Sequence, residues 1–148
     1  MASIAVILTL GALMALSPVL ADDDAQTAAK NEAGVAMQTW LAEIDASDYA
    51  KSWNDSAKSF QKALTSDQWV AALNGVRTPL GKSIERKLVS AACQTVVPKP
   101  GAGTVKGDFV IAQFDSSFEN MKYARETVTF EKEADGAWRA SGYFIKPR

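Results

Sequence analysis

At Gly81 the spacing of apolar residues changes from helical to alternate, and that switch limits the folds open to this chain. Before it, Ala33, Met37, Trp40, Leu41 and Ile44 recur at three- and four-residue intervals, which predicts a first helix over residues 26–44. Residues 45–48 are turn-like, and Ser47 or Asp48 is placed to cap a second helix with Tyr49, Trp53, Ala57 and Phe60 on one face. Thr65 followed by Gln68 is a capping-box pattern opening a third helix, with Trp69, Leu73 and Val76 as its stripe and Asn74-Gly75 as its stop. Beyond Gly81, residues 84–97 are rich in β-branched side chains and predict a strand, and residues 98–107 (PKPGAGTVKG) read as a loop. Residues 108–118 alternate, with Val110, Ala112, Phe114 and Ser116 on one face, and residues 123–133 alternate again. Asp135-Gly136 is a hairpin turn leading to a last strand over 138–146. The expected fold is α+β, with three N-terminal helices packed on a curved four-stranded antiparallel sheet.

The first 21 residues contain no charged side chain. An apolar run from Ile4 to Leu16 is broken at Ser17-Pro18 and ends in Val19-Leu20-Ala21, small residues where a signal peptidase cuts, followed by Asp22-Asp23-Asp24. The expected organisation is a signal peptide over 1–21, an acidic tail and the start of the first helix over 22–32, and one α+β domain over 33–148. The protein is then exported, to the periplasm or beyond, with no stable membrane insertion after cleavage. The alternative is an uncleaved N-terminal anchor, since about 20 apolar residues span a bilayer.

Histidine is absent, which removes Ser-His-Asp and Cys-His nucleophiles, His-ligated zinc and haem on an axial His. Net charge is −1 and no basic cluster exceeds two neighbours, so nucleic acid is not an expected partner. Cys93 is the single cysteine, so no internal disulfide forms; its surroundings read as a strand with a small buried side chain. No metal and no cofactor is expected. Gly101, Gly103 and Gly107 imitate a dinucleotide loop but follow Pro98-Lys99-Pro100 and open no helix.

Several segments carry a family resemblance: Trp40-Leu41-Ala42-Glu43-Ile44-Asp45, Asp48-Tyr49-Ala50-Lys51-Ser52-Trp53, Gln68-Trp69-Val70-Ala71-Ala72-Leu73, Val76-Arg77-Thr78-Pro79-Leu80-Gly81, Glu126-Thr127-Val128-Thr129, and residues 135–146. The chain resembles the domain-of-unknown-function 4019 family of small exported bacterial proteins over about residues 37–146. That resemblance implies an exported domain and no assigned activity. The helices-then-strands order is also similar in topology to the nuclear transport factor 2-like superfamily, which implies a sheet closing over helices around a conical pocket; a cystatin-like arrangement is the alternative.

The residues singled out as pocket or polar-centre candidates are Trp53, Arg77, Arg86, Glu126 and Tyr143. The aromatic set Tyr49, Trp53, Phe60 and Trp69 has the spacing of helix-to-sheet core contacts, or of a pocket lining. Glu126 shares a strand face with Val128 and Phe130, so its carboxylate points inward and needs a cation or several donors. Arg77 or Arg86 is the expected partner. One reading is a buried Arg–Glu pair fixing the helix-to-sheet junction; the other is a polar centre at the base of a pocket. The expected role is non-catalytic binding of a small molecule or an envelope protein, with no catalytic residue assigned. The runner-up is a histidine-free acid/base enzyme with Glu126 as base and Tyr143 or Tyr123 as donor. A module that forms a homodimer through its open sheet face is the third.

Overall fold

The computed structural model describes residues 18–148 except positions 100 and 102. The expected signal peptide lies almost entirely outside the described residues. The order is α1 (Pro18–Asp45), α2 (Tyr49–Asn54), α3 (Lys58–Ala63), α4 (Ser66–Val76), a 3₁₀ turn (Thr78–Leu80), then β1 (Ser83–Lys99), β2 (Gly103–Phe118), β3 (Met121–Lys132) and β4 (Trp138–Pro147). The strands form one antiparallel sheet in sequence order. The fold is therefore α+β, as the change of period predicts. No helix among the described residues is long and apolar enough to cross a membrane.

The helix count differs from expectation, because the second predicted helix is two short ones. At the break, Ser56 Oγ donates to the Ser52 carbonyl at 2.6 Å, and Gln61 Nε2 reaches the carbonyls of Trp53, Asn54 and Ser56 at 3.0, 2.9 and 3.2 Å. Those side chains satisfy backbone groups that a continuous helix would pair internally. Ala57 is extended, and its N–H donates to the Ala140 carbonyl at 2.8 Å, tying the break to β4. Asp48 is the N-cap residue of α2 but makes no side-chain capping bond. The Thr65–Gln68 capping box is formed, with both reciprocal bonds in place at 3.2 and 2.9 Å. Asn74-Gly75 does not stop α4, which continues to Val76 and gives way to the 3₁₀ turn that contains Pro79.

The predicted loop at 98–107 is mostly strand. Val96, Val97, Pro98 and Lys99 pair with Lys106, Val105, Thr104 and Gly103, so ladder bonds override a composition that favours turns. Pro98 is tolerated because β1 is an edge strand. Three irregularities interrupt the β1–β2 register. Such bulges bend a strand and make its open edge a poor template for another chain.

The core lies between α1, α2–α4 and one face of the sheet. Ala33, Met37, Trp40, Leu41 and Ile44 of α1 are all buried, against Val110, Ala112, Val128, Phe130 and Ala140. Trp40 stacks edge-on against Phe130 and Tyr143 with ring centres 6.1 and 5.5 Å away. Fully buried Ser52 joins the helices: its carbonyl accepts from Trp40 Nε1 at 2.8 Å and its hydroxyl from Trp69 Nε1 at 3.0 Å. Tyr49, Phe60 and Trp69 are buried in this cluster, whereas Trp53 is only half-buried and spends its indole N–H on the Leu64 carbonyl at 2.9 Å. Cys93 is also half-buried, with its thiol 3.6 Å from the Gln26 carbonyl.

Candidate functional site

Alternation along β3 turns Glu126 to the core face with Ala124, Val128 and Phe130, and its exposure is 0%. Both carboxylate oxygens are doubly engaged. Oε2 accepts from Arg86 Nε at 2.7 Å and from Ser116 Oγ at 2.5 Å. Oε1 accepts from Tyr143 OH at 2.6 Å and from Arg86 Nη2 at 3.1 Å. The same guanidinium turns outward to Asp45, the last residue of α1, with two bonds of 2.8 and 3.0 Å. Asp45 also accepts from Arg77 Nη2 at 3.1 Å, and Arg77 Nη1 donates to the Gly81 carbonyl at 2.6 Å. The Arg77 guanidinium carbon sits over Phe118, 4.4 Å from the ring centre. One connected cluster thus draws on all four strands, the end of α1 and the C-cap of α4.

Two arginines and two acids make this cluster neutral. Burial alone would lower the Arg86 pKa, but the hydrogen bonds to Asp45 and Glu126 outweigh it and raise it. Burial would likewise raise Asp45, yet Arg86 and then Arg77 hold its carboxyl below the usual range. Burial pushes the Tyr143 phenol well up, and the charge and hydrogen bond of Glu126 push it further, so it stays a donor. Each Glu126 oxygen already accepts from two donors. The cluster ties β1 and β3 to the end of α1.

Open space lies elsewhere, in two clefts along α1 that share Trp138. One cleft of about 480 Å³ is bounded by Gln26 and Ala29 of α1, Cys93 of β1, Phe109 of β2 and Trp138 of β4. A second, about 460 Å³, lies between Trp40 and Glu43 of α1, Asp55 after α2, Phe130 of β3, and Trp138 and Arg139 of β4. Within it Glu43 Oε1 pairs with Lys51, which also binds Asp55 at 2.5 Å. Burial is the main cause that raises the Glu43 pKa.

Residues 36–143 match the protein family described as "Protein of unknown function (DUF4019)". The chain belongs to this family. The DUF4019 match takes in Asp45, Arg77, Arg86, Ser116, Glu126 and Tyr143, so the whole polar cluster lies inside the family domain. No curated protein and no solved structure matches the chain.

Of the five candidates, the DUF4019 fold brings together four: Arg77, Arg86, Glu126 and Tyr143. Arg86 is the direct partner of Glu126, and Arg77 joins through Asp45. Trp53 sits apart, at the α2–α3 break, and the second donor proposed for Glu126, Tyr123, is 70% exposed. Sequence reasoning missed Asp45, which reads as the start of a turn, and Ser116, noted only as part of an alternating face. Two arginines near one inward acid were a signal for a second acid. Neither cleft was legible, since each is formed by residues from three or more separate segments.

Proposed function

We propose that this DUF4019 protein is an exported bacterial envelope domain that binds a small molecule without chemically altering it. A cone-like arrangement of the nuclear transport factor 2-like or cystatin-like kind is part of the same reading. The observation that carries it is the contrast between the two polar regions. The carboxylate best placed for acid/base work is saturated by four donors, whereas two clefts of about 480 and 460 Å³ stand open beside α1. Volumes of that order suit a ligand of modest size. The charge-free leader and the acidic residues after Ala21 support export.

A second reading, a homodimer through the outer sheet face, is favoured by Phe144, which pairs with Thr127 on the side away from the helices and is 66% exposed. Mass spectrometry of protein expressed from the full-length gene and recovered from the envelope tests both. The expected result is an intact mass of Asp22–Arg148 and, under native conditions, a monomer carrying one small non-covalent adduct. A retained Met1 in the membrane fraction refutes export. A bare monomer in every preparation refutes binding, and a dimer without adduct supports the second reading instead.

A further inference from the structure

Where α1 meets the end of α2, two carboxyl groups come together. The Glu43 side chain is only 10% exposed, and its Oε1 takes the Lys51 ammonium. Lys51 also binds Asp55 at 2.5 Å, so one cation bridges both acids. Glu43 Oε2 is buried and receives no N–H and no hydroxyl. The Glu43 carboxyl is instead in hydrogen-bonding contact with that of Asp55.

Two ionised carboxylates offer each other only lone pairs, so they repel rather than bond. Contact between them in a largely buried place calls for one proton held in common. The charges around the pair agree. Lys51 on α2 serves both acids, and Arg139 on β4 faces Asp55 but is committed to Glu133 and Asp135 at 2.6 and 2.8 Å. The rest of the lining of the neighbouring cleft is uncharged. With one proton the set Glu43, Lys51 and Asp55 is neutral; without it, one negative charge is left over beside a buried oxygen. The proton belongs mainly to Glu43. Burial foremost, and then the Asp55 carboxyl, raise its pKa, whereas Lys51 and then the Glu43 hydrogen bond lower that of Asp55.

We propose that Glu43 and Asp55 share one proton and form, with Lys51, a clamp between α1 and the end of α2 that opens when the proton leaves to water. The inner side of α2 stays fixed through Ser52, whose carbonyl accepts from Trp40, so the release is confined to the outer end of this six-residue helix. That end is one wall of the cleft of about 460 Å³. Opening the clamp therefore loosens the wall and adds a negative charge to it. The sign follows from the two groups. The clamp is complete near pH 4.5, is lost as pH rises through the raised Glu43 value, and weakens again as pH falls through the lowered Asp55 value. The device acts whatever the clefts hold.

The test is a carboxyl-carbon NMR titration of the full chain from acid to neutral pH, with amide hydrogen exchange of residues 49–54 measured alongside. The Glu43 carboxyl should titrate above its ordinary 4.5, and the Asp55 carboxyl should show a second step at the same pH, the mark of a proton held in common. Across that step the protection of the α2 amides should fall by about tenfold. Glu43→Gln and Asp55→Asn each put an NH₂ where the shared proton was, so both should keep the clamp shut and remove the step in protection. Asp55→Asn should also move the Glu43 titration to lower pH. Asp55 is half-exposed, so Asp55→Asn decides the matter if Glu43→Gln does not fold. A Glu43 titration unmoved in Asp55→Asn means that burial alone raises it and overturns the inference. Absence of the shared step at Asp55, or α2 protection that does not change through it, overturns the inference as well.

Discussion

Replacing Glu126 by Gln tests the polar cluster most directly, because it keeps the side-chain volume and removes the charge. In the native fold the carboxylate accepts from Arg86 twice and from Ser116 and Tyr143 once each. A glutamine offers one oxygen and one NH₂, so the nitrogen meets two groups that were donating to it. The charge count also changes: Arg77 and Arg86 would face Asp45 alone, leaving an excess positive charge in a cluster where Glu126 is fully buried and Arg86 is 16% exposed. Breaking a buried ion pair by removing one partner costs about 3–5 kcal/mol, whereas an exposed pair contributes about 0–1 kcal/mol. With a urea m-value of roughly 1–3 kcal/mol/M, the midpoint should fall by something on the order of 2 M. The control is Glu85→Gln, whose pairing with Lys87 is largely exposed and whose midpoint should hardly move. Urea unfolding followed by tryptophan emission reads both, since Trp40 and Trp69 are buried close to Tyr143. If the two variants unfold at the same midpoint, the argument for a buried clamp is refuted.

Three further outcomes follow from particular residues. The Glu43 pKa is raised above its ordinary 4.5 in the folded protein, so its contribution to stability is present below that value and is lost as pH rises through the folded pKa. Glu43→Gln should therefore flatten the fall in thermal stability as pH rises above 4.5, and an unchanged slope would contradict the assignment. Gly81 has φ +74°, and a Cβ there would meet Glu119 Oε2 at 2.6 Å, so Gly81→Ala should cost about 1–3 kcal/mol. Gly34 lies within α1 with nothing within 4 Å of a Cβ, so Gly34→Ala should add about 0.5–1 kcal/mol in the same denaturation assay.

What could be read from the sequence was what depends on local periodicity. The inward turn of Glu126 follows from two-residue alternation with Val128 and Phe130, and the start of α4 follows from two side chains three residues apart. Asp45 was hidden because its partners, Arg77 and Arg86, lie 32 and 41 residues away and arrive only when the sheet meets the helices. The break between α2 and α3 depends on Gln61 reaching back to three carbonyls, a competition that apolar spacing does not encode. Pro98 and Lys99 became strand because Thr104 and Gly103 stand opposite them, and that pairing is set by the rest of the hairpin. The clefts depend on how far α1 stands from the sheet, which is a property of packing.

The placement of α1 has a consequence for how the molecule forms. Its Trp40 meets Tyr143, and Glu32 accepts from Trp138 Nε1 across 106 residues, so the first helix finds its partners on the last strand. The meander of β1 to β4 can assemble from neighbouring segments, whereas the first helix packs on β2 and β3 as well and completes its docking only when β4 is in place. The core is therefore complete only when the last strand joins the first helix, a contact that spans 106 residues of sequence. A polypeptide that delays closure in this way is suited to being threaded through a membrane before it folds, the order of events that the proposed export requires.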